Sequence, residues 1–177
     1  MAKFSRKKES VLKRLEKRVK LNVKRGEGIT NITVLRFCTL VCNKFYFRGV
    51  FSADRIPRTL SQRKNFVAIV NLAGSREYKG HFVTLVGSSK SVYYVDSYGL
   101  PSVDSRVNYF LKLCNRPVLF NLRQIQHFDS AYCALYAILF ALYFEKKAPF
   151  RLKFKRRSLL DNDKLCCTYI RKLIDYQ

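Results

Sequence analysis

Four residues in a fixed order, His81, Asp96, Gln126 and Cys133, carry the chemistry this chain could perform. A thiol, an imidazole, a carboxylate and a primary amide are the parts of nucleophilic catalysis by cysteine. The thiol attacks, the imidazole moves the proton, the carboxylate orients the imidazole, and the amide donates to the oxyanion. Their surroundings suit those tasks. His81 opens the apolar run HFVTLV, and Asp96 closes the next one, YYVD. Gln126 stands seven residues before Cys133 in QHFDSAYC, and an apolar run follows the cysteine. A helix N-terminus favours a thiolate, and Asp129 or Ser130 is placed to cap a helix that starts at Cys133.

Taken singly, each residue has a plainer reading. Cys133 would be a small core apolar residue, His81 a satisfied strand-end histidine, Asp96 a turn residue and Gln126 a cap. The set is stronger than its members because of the elements that must position it. His81–Val86 and Ser91–Asp96 read as strands joined by the short loop Gly87–Lys90, a hairpin that would bring His81 and Asp96 side by side. His127 competes for the part of base, but a strand holds a base more rigidly than a loop does.

The other elements follow from pattern. Phe66–Asn71 reads as a buried strand, and the aromatic FYFRGVFSADRIP ends in a turn at Asp54–Pro57. Val103, Val107, Phe110, Leu111 and Cys114 recur at helical spacing. Val118–Leu122 reads as a strand. The alternation in 145–157 suggests an edge strand with a basic face, and a last helix is expected from the Asp161–Asn162–Asp163 cap. Val11, Leu12, Leu15 and Val19 give residues 1–25 an amphipathic helical stripe. The expected fold is α+β: a small mixed or antiparallel sheet packed against a central helix that starts at Cys133. The expected organisation is a basic N-terminal helical arm over 1–40 and a catalytic domain over 41–177.

At 177 residues the chain can bury one real core. Its net charge of +23 points to a polyanion: DNA or RNA, bound without regard to sequence, is the expected partner rather than an anionic membrane, and a basic surface with no dedicated ligand is the plainer reading. Two clusters carry much of it: Lys7, Lys8, Lys13, Arg14, Lys17 and Arg18 near the start, and Arg151, Lys153, Lys155, Arg156 and Arg157 later. The six cysteines lack zinc-ligand spacing, so no metal is expected. The first residues lack the apolar core of a signal peptide, which predicts reduced thiols. The longest apolar run, Ala131–Phe144, spans fourteen residues, short of the roughly 20 that cross a membrane.

From Tyr46 to Phe140 the chain resembles adenain, the adenovirus-type family of maturation cysteine proteases, which shares a clan with the SUMO-specific proteases. The pieces are YFRGVFSADRIP, NFVAIVNLAG, GHF, YYVDSYGL and QHFDSAYCALYAILF, with His, acidic residue, Gln and Cys in family order. Three positions depart from the family pattern: Asp96 for glutamate, Phe82 for tryptophan and Ala134 for glycine. The resemblance implies Cys133 as nucleophile, His81 as base, Asp96 as its orienter, and Gln126 with the Cys133 N–H as oxyanion donors. It implies a monomeric viral endopeptidase that needs no cofactor for its chemistry. Such an enzyme cleaves capsid or core precursor proteins beside small, glycine-containing sites while bound to DNA, in the virion and the nucleus or viral factory of an infected cell. It also implies a disulfide between an activating peptide and a cysteine upstream of the glutamine. Cys114, twelve residues before Gln126, is the candidate, against its plainer reading as a core residue. The alternatives are an isopeptidase for ubiquitin-like modifiers and an inactive protease-fold protein that packages nucleic acid.

Overall fold

The computed structural model describes residues 8–17, 29–42, 45–77, 80–147, 151–155 and 158–175. Helix α1 covers 8–17. Then come α2 (Asn31–Val41), β1 (Phe47–Ser52), two short 3-10 turns (Ala53–Arg55 and Arg58–Leu60), β2 (Phe66–Asn71), β3 (Phe82–Gly87), β4 (Val92–Val95), α3 (Ser105–Leu113), β5 (Val118–Phe120), α4 (Cys133–Lys146) and α5 (Leu159–Asp175). The strands form one mixed sheet in chain order β1-β2-β3-β4-β5. The inner pairs β2·β3 and β3·β4 are antiparallel, and the outer pairs β1·β2 and β4·β5 are parallel.

Side-chain alternation splits the sheet into two cores. Val67 and Ile69 of β2 and Phe82 and Val86 of β3 face a large core that contains α4 and α5. Phe66, Ala68 and Val70, with Val83 and Leu85, face a smaller core under α3. Every residue of β2 and β3 is therefore buried, and their continuous apolar runs read as strands covered on both faces. Helix α4 is buried from Ala134 to Leu142, being apolar all round and held between sheet and α5. Leu12 and Leu15 of α1, and Val34, Phe37, Cys38 and Val41 of α2, belong to the same large core.

Two expectations need correction. Residues 151–155 form no strand. Leu152 and Phe154 do turn inward while Arg151, Lys153 and Lys155 turn out, but the backbone partners are side chains. Lys153 N–H donates to the Tyr169 hydroxyl at 3.0 Å, which donates back to the Lys153 carbonyl at 3.1 Å. Asn162 accepts from Lys155 N–H at 2.8 Å and donates to its carbonyl at 3.0 Å. Nor do Asn162 and Asp163 cap the last helix. That helix begins at Leu159, and both residues lie buried in its first turns.

Candidate active site

The β3–β4 hairpin brings His81 and Asp96 together, as the sequence suggests. His81 immediately precedes β3 and Asp96 immediately follows β4. The His81 Nε2 lies 2.6 Å from Asp96 Oδ1. That oxygen also accepts the Tyr98 N–H at 2.8 Å. Asp96 is buried, 3% exposed, so the pair is shielded from water. Asn121 brackets it from β5's side, accepting the Asp96 N–H at 2.7 Å and donating to the Asp96 carbonyl at 2.6 Å.

With Nε2 committed to Asp96, Nδ1 is the ring nitrogen left for the Cys133 thiol. Burial alone pushes the imidazole down. The Asp96 hydrogen bond, the Cys133 hydrogen bond and the Cys133 and Asp96 charges outweigh it and carry His81 up to about 9. Cys133 is the first residue of α4 and is half-buried. One turn further on, the Thr84 hydroxyl of β3 donates to the Ala137 carbonyl at 2.9 Å, locking the strand after His81 to the helix after Cys133.

The cap expected at Asp129 or Ser130 is not there. The N-cap position belongs to Tyr132, and no side chain caps the helix. The Ser130 hydroxyl donates to Asp163 of α5 at 2.7 Å and accepts the Tyr132 N–H at 3.4 Å, stopping short of the helical N–H groups that a cap would meet. A first turn without a side-chain cap has orphan N–H groups available to an oxyanion.

Gln126 is fully buried in the loop before Cys133. Its Oε1 accepts from Ser97 Oγ at 2.6 Å, and its Nε2 donates to the Ser130 carbonyl and, at 3.4 Å, to the Tyr98 hydroxyl. As placed, its amide braces the loop. Gly99 makes this loop's approach possible. Its φ is +70°, and an added Cβ would collide with the backbone of Arg123 and Gln124. The other histidine, His127, sits on the loop itself. Its Nδ1 accepts the Asp129 N–H at 3.2 Å and lies 3.7 Å from the Asp129 carboxylate.

Three site residues escaped the sequence reading. Tyr98 stacks on His81 with ring centroids 4.5 Å apart and planes 18° apart. Asn121 has no sequence signal. Asp163 is a buried carboxylate that also accepts the Tyr136 hydroxyl at 3.1 Å, and burial pushes it up.

Cys114 closes α3 and is buried in the smaller core. Burial raises its thiol, the nearby Arg116 working the other way. Among the basic residues, Arg14 and Lys17 lie exposed on α1, and Lys13 pairs with Glu9 at 3.7 Å. Lys8 opens that helix. Arg151 and Lys153 are exposed, and Lys155 pairs with Asp161 at 2.9 Å. Lys7, Arg18, Arg156 and Arg157 lie outside the described residues. The two basic stretches, far apart in sequence, both dock on α5. Arg171 holds Glu9 at 3.4 Å and Glu16 at 2.6 Å, and Tyr169 holds the Lys153 backbone. Among the described residues no His, Cys, Asp and Glu cluster suits a metal, and no helix is long and apolar enough to cross a membrane.

The molecule is an α+β protein, a mixed sheet packed on a helix that begins at a cysteine. No family model matches the chain, and neither does any curated protein sequence. Among solved structures, the central domain of the Legionella pneumophila protein Lpg1148 is similar over 84% of this chain and 99% of its own, at 15% identity and a TM-score of 0.50. AvrA delL154, with IP6 and CoA, is similar over 78% of this chain at 17% identity and a TM-score of 0.46, and this chain spans 62% of that one. At 15% identity the likeness to the Lpg1148 domain is one of fold.

Proposed function

We propose that this protein is a thiol hydrolase, an endopeptidase acting through Cys133. One observation carries the reading: a single imidazole has a buried carboxylate 2.6 Å from Nε2, and the Cys133 thiol at the start of α4 is among the groups that hold it up. An imidazolium neighbour favours the thiolate. In the proposed cycle, Cys133 Sγ attacks the scissile carbonyl carbon and the oxyanion is held by the Cys133 backbone N–H. Gln126 joins as a second donor by exchanging Ser130 or Tyr98 for the substrate oxygen. His81 gives its proton to the leaving amine, leaving a thioester. Neutral His81 then takes a proton from water, which attacks the thioester, and the acid product departs as Cys133 is regenerated.

The finer reading rests on the sequence motifs. By their resemblance to adenain, the substrates are viral capsid or core precursors cut beside glycine, in the virion or the infected cell. The charge of +23 supports a DNA-bound enzyme. Iodoacetamide at neutral pH tests the chemistry: Cys133 is expected to label fastest of the six cysteines and Cys133→Ala to abolish cleavage. Activity retained in Cys133→Ala ends the assignment. Co-expression with candidate precursors, followed by mass spectrometry of new termini, reads the substrate. Fluorogenic ubiquitin and SUMO separate an endopeptidase from an isopeptidase.

A further inference from the structure

The β3–β4 ladder pairs Thr84 with Val95 and Leu85 with Tyr94. Extended past its last rung, the same register sets His81 opposite Tyr98. The rings answer that register: centroids 4.5 Å apart, planes 18° apart. The far face of Tyr98 stacks on Phe128 at 5.4 Å. Its hydroxyl donates to the Phe128 carbonyl at 3.5 Å and accepts from Gln126 Nε2 at 3.4 Å. Phe128 and Gln126 both lie on the loop that delivers Cys133.

We propose that Tyr98 is a positioning residue of this site, its ring holding the His81 imidazole in the plane that serves Asp96 and Cys133 and its hydroxyl tying that plane to the nucleophile loop. The proposal rests on the thiol-hydrolase reading. Asp96 and Cys133 hold two edges of the imidazole, and Tyr98 covers a face. A ring face also attracts a cation, so the stack favours the imidazolium. The hydroxyl remains a neutral donor. Burial, then the charges of Cys133, Asp96, Asp163 and Asp129, push it up to about 12. Those groups come from α4, the β4 end, α5 and the loop.

The chain has only two histidines, so NMR of histidine-labelled protein resolves each, with His127→Gln for assignment. Tyr98→Phe keeps the stack and is expected to leave the His81 titration in place. Tyr98→Leu removes the stack and is expected to lower it by about half to one pH unit and to abolish the ring-current displacement of the His81 ring protons. The alkaline limb of Cys133 alkylation should move with it. An unshifted titration in folded Tyr98→Leu, or equal shifts in both variants, overturns the proposal. So does the lack of any Tyr98–His81 ring contact in NOE spectra of the unaltered protein, a measurement that needs no variant to fold. Alkylation of Cys133 in the unaltered protein reads the hydrolase assignment separately. An inert thiol beside an intact stack fails that assignment and not the geometry.

Discussion

Asp96→Asn isolates charge from shape at the point where the site is best defined. Asparagine keeps an oxygen where Oδ1 now accepts from His81 at 2.6 Å and Tyr98 N–H at 2.8 Å, so the ring orientation is largely kept. The charge is lost. An opposite charge this close is worth about 1–3 pKa units to its partner. With burial as the largest single influence, and downward, His81 should fall from about 9 by about two units. At pH 7.5 the imidazolium fraction then drops from about 97% to about 25%, a change of about 2.7 kcal/mol in proton affinity. Cys133 alkylation should slow about fourfold at that pH, in step with the imidazolium. Turnover should fall further, because the acid for the leaving amine is lost as well. The analogous change in a serine triad costs about 10⁴ in kcat.

The same shift has a stability sign. His81 is raised above its ordinary 6.5, so its contribution is fully present below that pH and is lost as pH rises through about 9. Urea unfolding of the unaltered protein should weaken over that window by an amount on the order of 3 kcal/mol, and Asp96→Asn should flatten the slope. An NMR titration of His81 within half a unit of the unaltered protein, with the alkylation rate unchanged, would refute the reasoning.

Further outcomes follow from the same geometry. His81→Ala should lose nearly all cleavage and His127→Ala much less, since His127 pairs with Asp129 on the loop. The reverse ranking in a peptide-release assay would mean the wrong histidine has been chosen. Ser130→Ala should cost about 1–3 kcal/mol in denaturant unfolding by stranding the buried Asp163 carboxylate. An unchanged midpoint would show that α5 does not brace the loop. DNA affinity should fall linearly in log–log against salt, and Arg151→Gln with Lys153→Gln should flatten the slope. A salt-independent affinity excludes phosphate contacts. Cys114→Ser should leave activity unaltered with or without added peptide, because the thiol is buried under α3. A peptide response lost in Cys114→Ser would restore the disulfide reading.

The apolar frame was legible because its periods are simple. β2 and β3 read as continuous runs, being covered on both faces, and the fourteen-residue apolar run Ala131–Phe144 read as a buried helix. His81 and Asp96 followed from the hairpin, whose two strand ends leave them diagonal neighbours within side-chain reach. The same register pointed to Tyr98, a signal available in the sequence but not read. What pattern did not reveal is polar and long-range. Residues 151–155 alternate like a strand, yet Asn162 and Tyr169 take their backbone bonds. Ser130 has the chemistry of a cap, but its hydroxyl donates to Asp163 and accepts from Tyr132 N–H, outside the helix. Gln126 has the spacing of an oxyanion donor, and its amide meets Ser97, Ser130 and Tyr98. Such side-chain pairings have no period, so they leave no pattern to read. They also converge. Asn162 and Tyr136 both donate to the Ile125 carbonyl, at 2.8 and 3.4 Å, and Asp163 and Gln126 both hold Ser130, further along the same loop. Local rules thus fail mainly along the one segment that presents Cys133 to His81. Departures from local preference concentrate where a structure is constrained by something other than its own stability. That places the constraint on the 125–133 loop, the part of the chain whose position fixes the distance from thiol to imidazole.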